Sequence, residues 1–143
     1  MIQRVSVTVV RRLMFVRLLL VGFFIGLVGL IATADTGSLP WLWGPVYAVP
    51  FGDKIGHFLL MGIFSFLANV SLNGRLVHWR GRSMMLGTLI VFVLVGGEEL
   101  SQAFIATRSC DAADFAADTL GILLGAMAAK SFLKARAKQV VAA

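Results

Sequence analysis

Residues 13–34, LMFVRLLLVGFFIGLVGLIATA, hold a single charge, Arg17, in 22 positions. About 20 apolar residues are enough to cross a hydrocarbon core of ~30 Å, and Arg17 can snorkel toward the basic end of the run. Three further runs of similar character follow. The chain is therefore read as all-α, a polytopic membrane protein with four transmembrane helices at approximately 13–34, 55–72, 84–106 and 115–133. They form a single membrane domain over 1–143. The runs are continuous and rich in Leu, Ala, Met, Gly and Phe, without the two-residue alternation of a barrel strand, so strands are not expected.

Composition agrees. Charged residues make up 14% of the chain, against about 25% in a typical soluble domain. Mean hydropathy is +0.90. The net charge of +6 does not point to nucleic acid, because the basic residues alternate with long apolar runs and form no nucleic-acid module. No nucleic-acid partner is expected. The single cysteine, Cys110, excludes an intramolecular disulfide and a paired-Cys zinc pattern.

The charges are sorted by sign. Eleven of the thirteen Lys and Arg residues lie in three blocks: Arg4, Arg11, Arg12 and Arg17; Arg75, Arg80 and Arg82; Lys130, Lys134, Arg136 and Lys138. Cytoplasmic loops carry the excess of Lys and Arg, so the N-terminus, the C-terminus and the second loop are expected in the cytoplasm. All seven carboxylates (Asp35, Asp53, Glu98, Glu99, Asp111, Asp114, Asp118) then fall on or beneath the outer face, with Lys54 and Arg108 as the only cations there. Trp41, Trp43 and Tyr47 fit an outer aromatic belt and Trp79 an inner one. Ala32-Thr33-Ala34 reads like a signal-peptidase site, but the apolar core is long for a cleaved signal, and the segment is expected to remain as a span. Gly22 and Gly26, and Gly121 and Gly125, are spaced for close helix approach.

Three polar clusters converge on the outer side. Asp53-Lys54-x-x-His57 opens the second helix. Glu98-Glu99-x-x-Gln102 lies on the third, and Arg108, Asp111, Asp114 and Asp118 run into the fourth. Spacings of three and four put Asp111, Asp114 and Asp118 on one stripe, continued by Gly121 and Gly125. If the third helix enters the core at Met84, Glu98 sits roughly 21 Å into it. Intramembrane ionisable residues are expensive and mark sites, so these ten residues form a candidate ligand-binding pocket. The spacings match no EF-hand or zinc-protease motif, and no cofactor is identifiable, yet the excess of acids leaves room for a divalent cation.

In order, Asp53-Lys54-x-x-His57, Glu99-x-x-Gln102-x-Phe104 and Arg108-Ser109-x-x-x-x-Asp114-x-x-x-Asp118-x-x-Gly121-x-x-x-Gly125 resemble the VanZ-like family of bacterial membrane proteins. The family is named for a protein associated with resistance to teicoplanin. The resemblance implies a multi-pass protein of the bacterial inner membrane, envelope biology and a link to glycopeptide resistance. It supplies no reaction.

Three functions stay open on the residues. The first is binding or handling of a membrane lipid or lipid-linked cell-wall precursor, with Arg108 and Lys54 gripping a phosphate or carboxylate and the acids orienting them, holding a metal or binding an amino group. The second is an enzyme acting on a lipid-linked phosphate, with His57 or Glu99 as general base. The third is a small proton-coupled transporter, which with four short helices requires a homo-oligomer.

Overall fold

The structure, a computed structural model, describes residues 2–105 and 111–141. Its elements are α1 (Ile2–Asp35), α2 (Pro40–Ala48), α3 (Gly52–Ser71), β1 (Leu76–Trp79), β2 (Arg82–Met85), α4 (Leu86–Gln102) and α5 (Ala112–Val141). Three helices are long and apolar enough to cross a membrane: Leu13–Asp35 in α1, Gly52–Ser71 in α3 and Ala112–Gln139 in α5.

The expected third helix, 84–106, is shorter in the structure. Met84 and Met85 belong to β2, and α4 ends at Gln102. Phe104 N–H bonds to Ser101 O and Ile105 N–H to Gln102 O, the tight i to i−3 closure that ends a helix. Ala106, the expected end, lies outside the described residues. The fourth helix extends beyond its expected bounds of 115–133 at both ends.

Three elements, β1, β2 and α2, were not expected. The basic second loop folds as an antiparallel hairpin, with Trp79 paired to Arg82. Arg80 and Gly81 both have positive φ (48° and 77°), as a two-residue type I′ turn requires. The Arg80 guanidinium lies 5.2 Å from the centre of the Trp79 ring, which fixes the strand end by a cation–π contact. The aromatic stretch after α1 forms the short helix α2, started by Pro40, whose fixed φ suits a first turn.

Contacts fix the helix directions. His57 meets Asp118 at the start of α3 and α5, and Phe66 meets Phe132 further along both, so these helices run parallel. α4 runs the opposite way. Thr88 at its start bonds Asn69 at the end of α3, and Glu99 near its end accepts from the Asp111 N–H that leads into α5. α1 stacks Phe23 and Phe24 on Phe64 of α3, with ring centres 6.0 and 5.8 Å apart. The core joins Leu27, Met61, Phe64, Ala68, Val91, Val95 and Ile122. Outward faces are apolar too: Leu18, Ile25, Val93, Leu124 and Met127 are exposed, as suits lipid.

α3 and α5 form the tightest pair, and glycine permits it. A Cβ on Gly121 would overlap the Phe58 carbonyl, and one on Gly125 would overlap the Gly62 carbonyl. Gly22 and Gly26 on α1 meet nothing within 4 Å, so that pair makes no close approach here. At the other end of α3, fully buried Asn69 clamps α4. Its Oδ1 accepts the Thr88 N–H at 3.0 Å, and its Nδ2 donates to Thr88 Oγ1 and Ser65 O, both at 2.9 Å. This satisfies an otherwise orphaned first-turn N–H of α4.

Gly121→Val and Gly125→Val are each expected to lower the thermal midpoint of the purified protein by roughly 5 °C or more, from an overpacking cost of about 1–3 kcal/mol. Gly22→Ala and Gly26→Ala are expected to shift it by no more than about 1 °C. A thermal melt in mild detergent checks both pairs.

Candidate functional site

The site begins where α3 and α5 start side by side. Lys54, in the first turn of α3, donates through Nζ to Asp114 Oδ1 at 2.8 Å, Asp53 Oδ2 at 2.9 Å and Asp111 Oδ2 at 3.0 Å. One ammonium has three donor hydrogens, and all three are directed to carboxylates. Lys54 is thus fully engaged within the protein. Asp111 also caps α5, its Oδ1 accepting the Ala113 N–H at 2.9 Å. That bond first, and Lys54 second, hold the Asp111 carboxyl below the usual carboxylate range.

One turn deeper, His57 Nδ1 lies 3.0 Å from Asp118 Oδ1. Asp118 is 1% exposed, so the pair is anchored on its α5 side by a fully enclosed carboxylate. On α4, Gln102 Nε2 donates to both oxygens of Glu98, at 2.8 and 3.0 Å. Glu99 Oε1 accepts the Asp111 N–H at 2.8 Å, while its Oε2 is buried with no hydrogen-bond partner. An unmet buried acceptor costs about 1–3 kcal/mol. Both glutamates lie near the end of α4, and Glu99 is enclosed by protein.

A cavity of about 440 Å³ opens beneath these groups. Asp53, His57, Glu98, Gln102, Asp111, Asp114 and Asp118 line its polar end, so seven of the ten expected residues share one space. Lys54 and Glu99 stand behind that lining, and Arg108 lies outside the described residues. The rest of the wall is apolar, with Phe24, Leu27 and Ile31 from α1, Leu60 and Phe64 from α3, and Leu94 and Val95 from α4. Sequence reading missed this floor, because single apolar residues in an apolar helix carry no signal of facing a cavity. It also missed the cover. Trp43 and Tyr47 of α2, expected in an interfacial belt, line the cavity, and the Trp43 Nε1–H is buried without an acceptor.

Among the described residues the polar end holds more acceptors than donors. Its one neighbouring ammonium already serves three carboxylates, which leaves Glu98 and Asp118 without a lysine partner. Among the described residues no group of three His, Cys, Asp or Glu side chains is arranged to hold a metal ion. Asp53, Asp111 and Asp114 converge on the lysine instead. The arrangement suits a guest with hydrogen-bond donors or positive charge at one end and an apolar remainder.

Compared with known proteins, residues 22–134 match the model of the VanZ/LLP1 family, which covers most of the chain. No curated protein and no solved structure matches it.

Lys54→Met is expected to lower the thermal midpoint at neutral pH, because three carboxylates are left facing one another. Adding Asp111→Asn to that variant should return part of the loss, because one of the three like charges is then removed, whereas Asp111→Asn alone should not raise the wild type's midpoint. Melts of the three proteins at neutral pH decide it.

Proposed function

The chain belongs to the VanZ-like family, and on that premise we propose that it binds a cell-envelope lipid or lipid-linked cell-wall precursor in the cavity beneath α2. The observation that carries this reading is the two-zone lining, acidic at one end and apolar along the rest. An amphiphile meets both zones: its chain lies along Phe24, Leu27 and Phe64, and its head reaches Glu98, Asp114 and Asp118. Because Lys54 is engaged by three carboxylates, the described wall favours an amino group or other donor on that head. Arg108, with its forked guanidinium, is the residue we assign to any phosphate or carboxylate the head also carries.

The proposed setting is the bacterial inner membrane, with α4 as a fourth span. Its 17 residues reach about 26 Å, and its ends are tied to the far end of α3 and the start of α5, which supports a full crossing. Both termini are then cytoplasmic, on the side of the eleven basic residues, and the cavity opens toward the outer leaflet. A role in glycopeptide resistance is consistent with a protein that sequesters or presents an envelope lipid.

The His57–Asp118 pair favours a second reading, an enzyme acting on a lipid-linked phosphate. A buried carboxylate oriented on an imidazole is the arrangement a general base needs. Absence of turnover of a polyprenyl phosphate or pyrophosphate by wild type would remove this reading and leave the first standing.

For the binding reading, Trp43 fluorescence reports occupancy, with Trp43→Phe as the blank. Phosphatidylethanolamine and a polyprenyl pyrophosphate are the probes. Glu98→Gln is expected to weaken binding of the amine-bearing lipid roughly tenfold, the loss of one charge-assisted hydrogen bond. Leu60→Trp, which fills the apolar floor, should abolish binding of both probes. Equal affinity in wild type and the folded Leu60→Trp protein would overturn the assignment of the cavity.

A further inference from the structure

At the opposite end of the bundle, a groove of about 660 Å³ runs between α1 and α5. Arg11, Arg136 and Gln139 give it donors, and Phe15 and Phe132 give it an apolar wall. Both phenylalanines are open, at 61% and 47% exposure. None of the seven carboxylates lines it. The Arg136 Nη2 is buried and has no hydrogen-bond acceptor. A guanidinium nitrogen closed off from water and left without an acceptor is costly, and it marks a place where an anionic oxygen fits.

Distance supports a lipid as the source of that oxygen. Arg136 lies 22 residues beyond Asp114 on one continuous helix, or roughly 33 Å along its axis. That separation exceeds the ~30 Å hydrocarbon core, so when the acids lie at one interface Arg136 reaches the headgroup level of the other. Basic pockets between helices at that level attract anionic headgroups. We infer that the groove between Arg11 and Arg136 binds the phosphate of an anionic phospholipid in the adjoining leaflet, with the first segment of an acyl chain along Phe15 and Phe132. The site is separate from the acid-lined cavity and asks for the opposite chemistry.

The test is a competition. The full chain in a neutral detergent is incubated with equimolar phosphatidylglycerol and phosphatidylcholine of matched chains, and the retained lipids are counted by native mass spectrometry. Wild type is expected to retain phosphatidylglycerol with roughly tenfold preference, as two arginines near an anionic headgroup allow. The double variant Arg11→Gln/Arg136→Gln should lose that preference. Arg11→Lys/Arg136→Lys should keep most of it, which separates loss of charge from loss of fold. Arg82→Gln, which removes a cation outside the groove, should leave it unchanged. No preference in wild type, or an equal loss in Arg82→Gln and the double glutamine variant, would overturn the proposal.

Discussion

Backbone contact between α3 and α5 is the constraint on which the acid end of the molecule depends. With Gly62, Gly121 and Gly125 at the crossing, no side chain separates the two helices. In lipid, where no hydrophobic force drives helices together, small residues that admit close approach do much of that work. The approach also sets register. Ser65 Oγ reaches the Ile122 carbonyl at 2.9 Å, a bond between a side chain of one helix and the backbone of the other. One turn and more above it, the same register sets His57 against Asp118 and Lys54 against Asp114. Separating the helices by the width of a methyl group would lengthen each of these polar contacts.

The parallel direction of α3 and α5 explains how so many carboxylates coexist with a single lysine, Lys54, at the acid end. Both N-termini lie at the acid end, and a helix N-terminus carries partial positive charge with unpaired N–H groups. Asp53 lies in the first turn of α3, Asp114 in that of α5, and Asp111 caps α5. Glu98 and Glu99 have the less favourable position, the last turn of α4, where the dipole is negative. There each carboxylate is held by a specific donor instead, Gln102 Nε2 for Glu98 and the Asp111 N–H for Glu99. Among the described residues the cavity therefore has a negative wall supported by two dipoles and one ammonium, and that ammonium is already engaged by three carboxylates.

What the sequence disclosed follows from the range of each signal. Apolar runs are long and local, so α1, α3 and α5 were readable, and the stripe of Asp111, Asp114 and Asp118 followed from helical spacing alone. Elements governed by short or distant signals were not. The hairpin rests on the two residues Arg80 and Gly81, and α2 on Pro40 before a run of aromatic residues. The end of α4 at Gln102 could not be seen, because Ala103, Phe104 and Ile105 continue the apolar composition. Which carboxylates Lys54 meets is not legible in the sequence, because pairing across 57 and 60 residues, to Asp111 and Asp114, is a tertiary fact. The buried clamp of Ser65, Asn69 and Thr88 did have a sequence trace: two polar residues four apart in an apolar helix, the spacing of one face.

The length of α5 links the two ends. Its 30 residues extend about 45 Å, the thickness of a bilayer with its headgroups rather than of the hydrocarbon alone. Acids in its first turn meet the positive pole of the helix, and Lys138 in its last turn meets the negative pole. The sorting of charge along the chain thus also suits the direction of this helix. Reversing α5 would set acids against carbonyl ends and cations against N–H ends. The same axis then carries acceptors toward the cavity at one interface and Arg136 toward the groove at the other, so the two proposed ligand chemistries are opposite because the helix itself is polar.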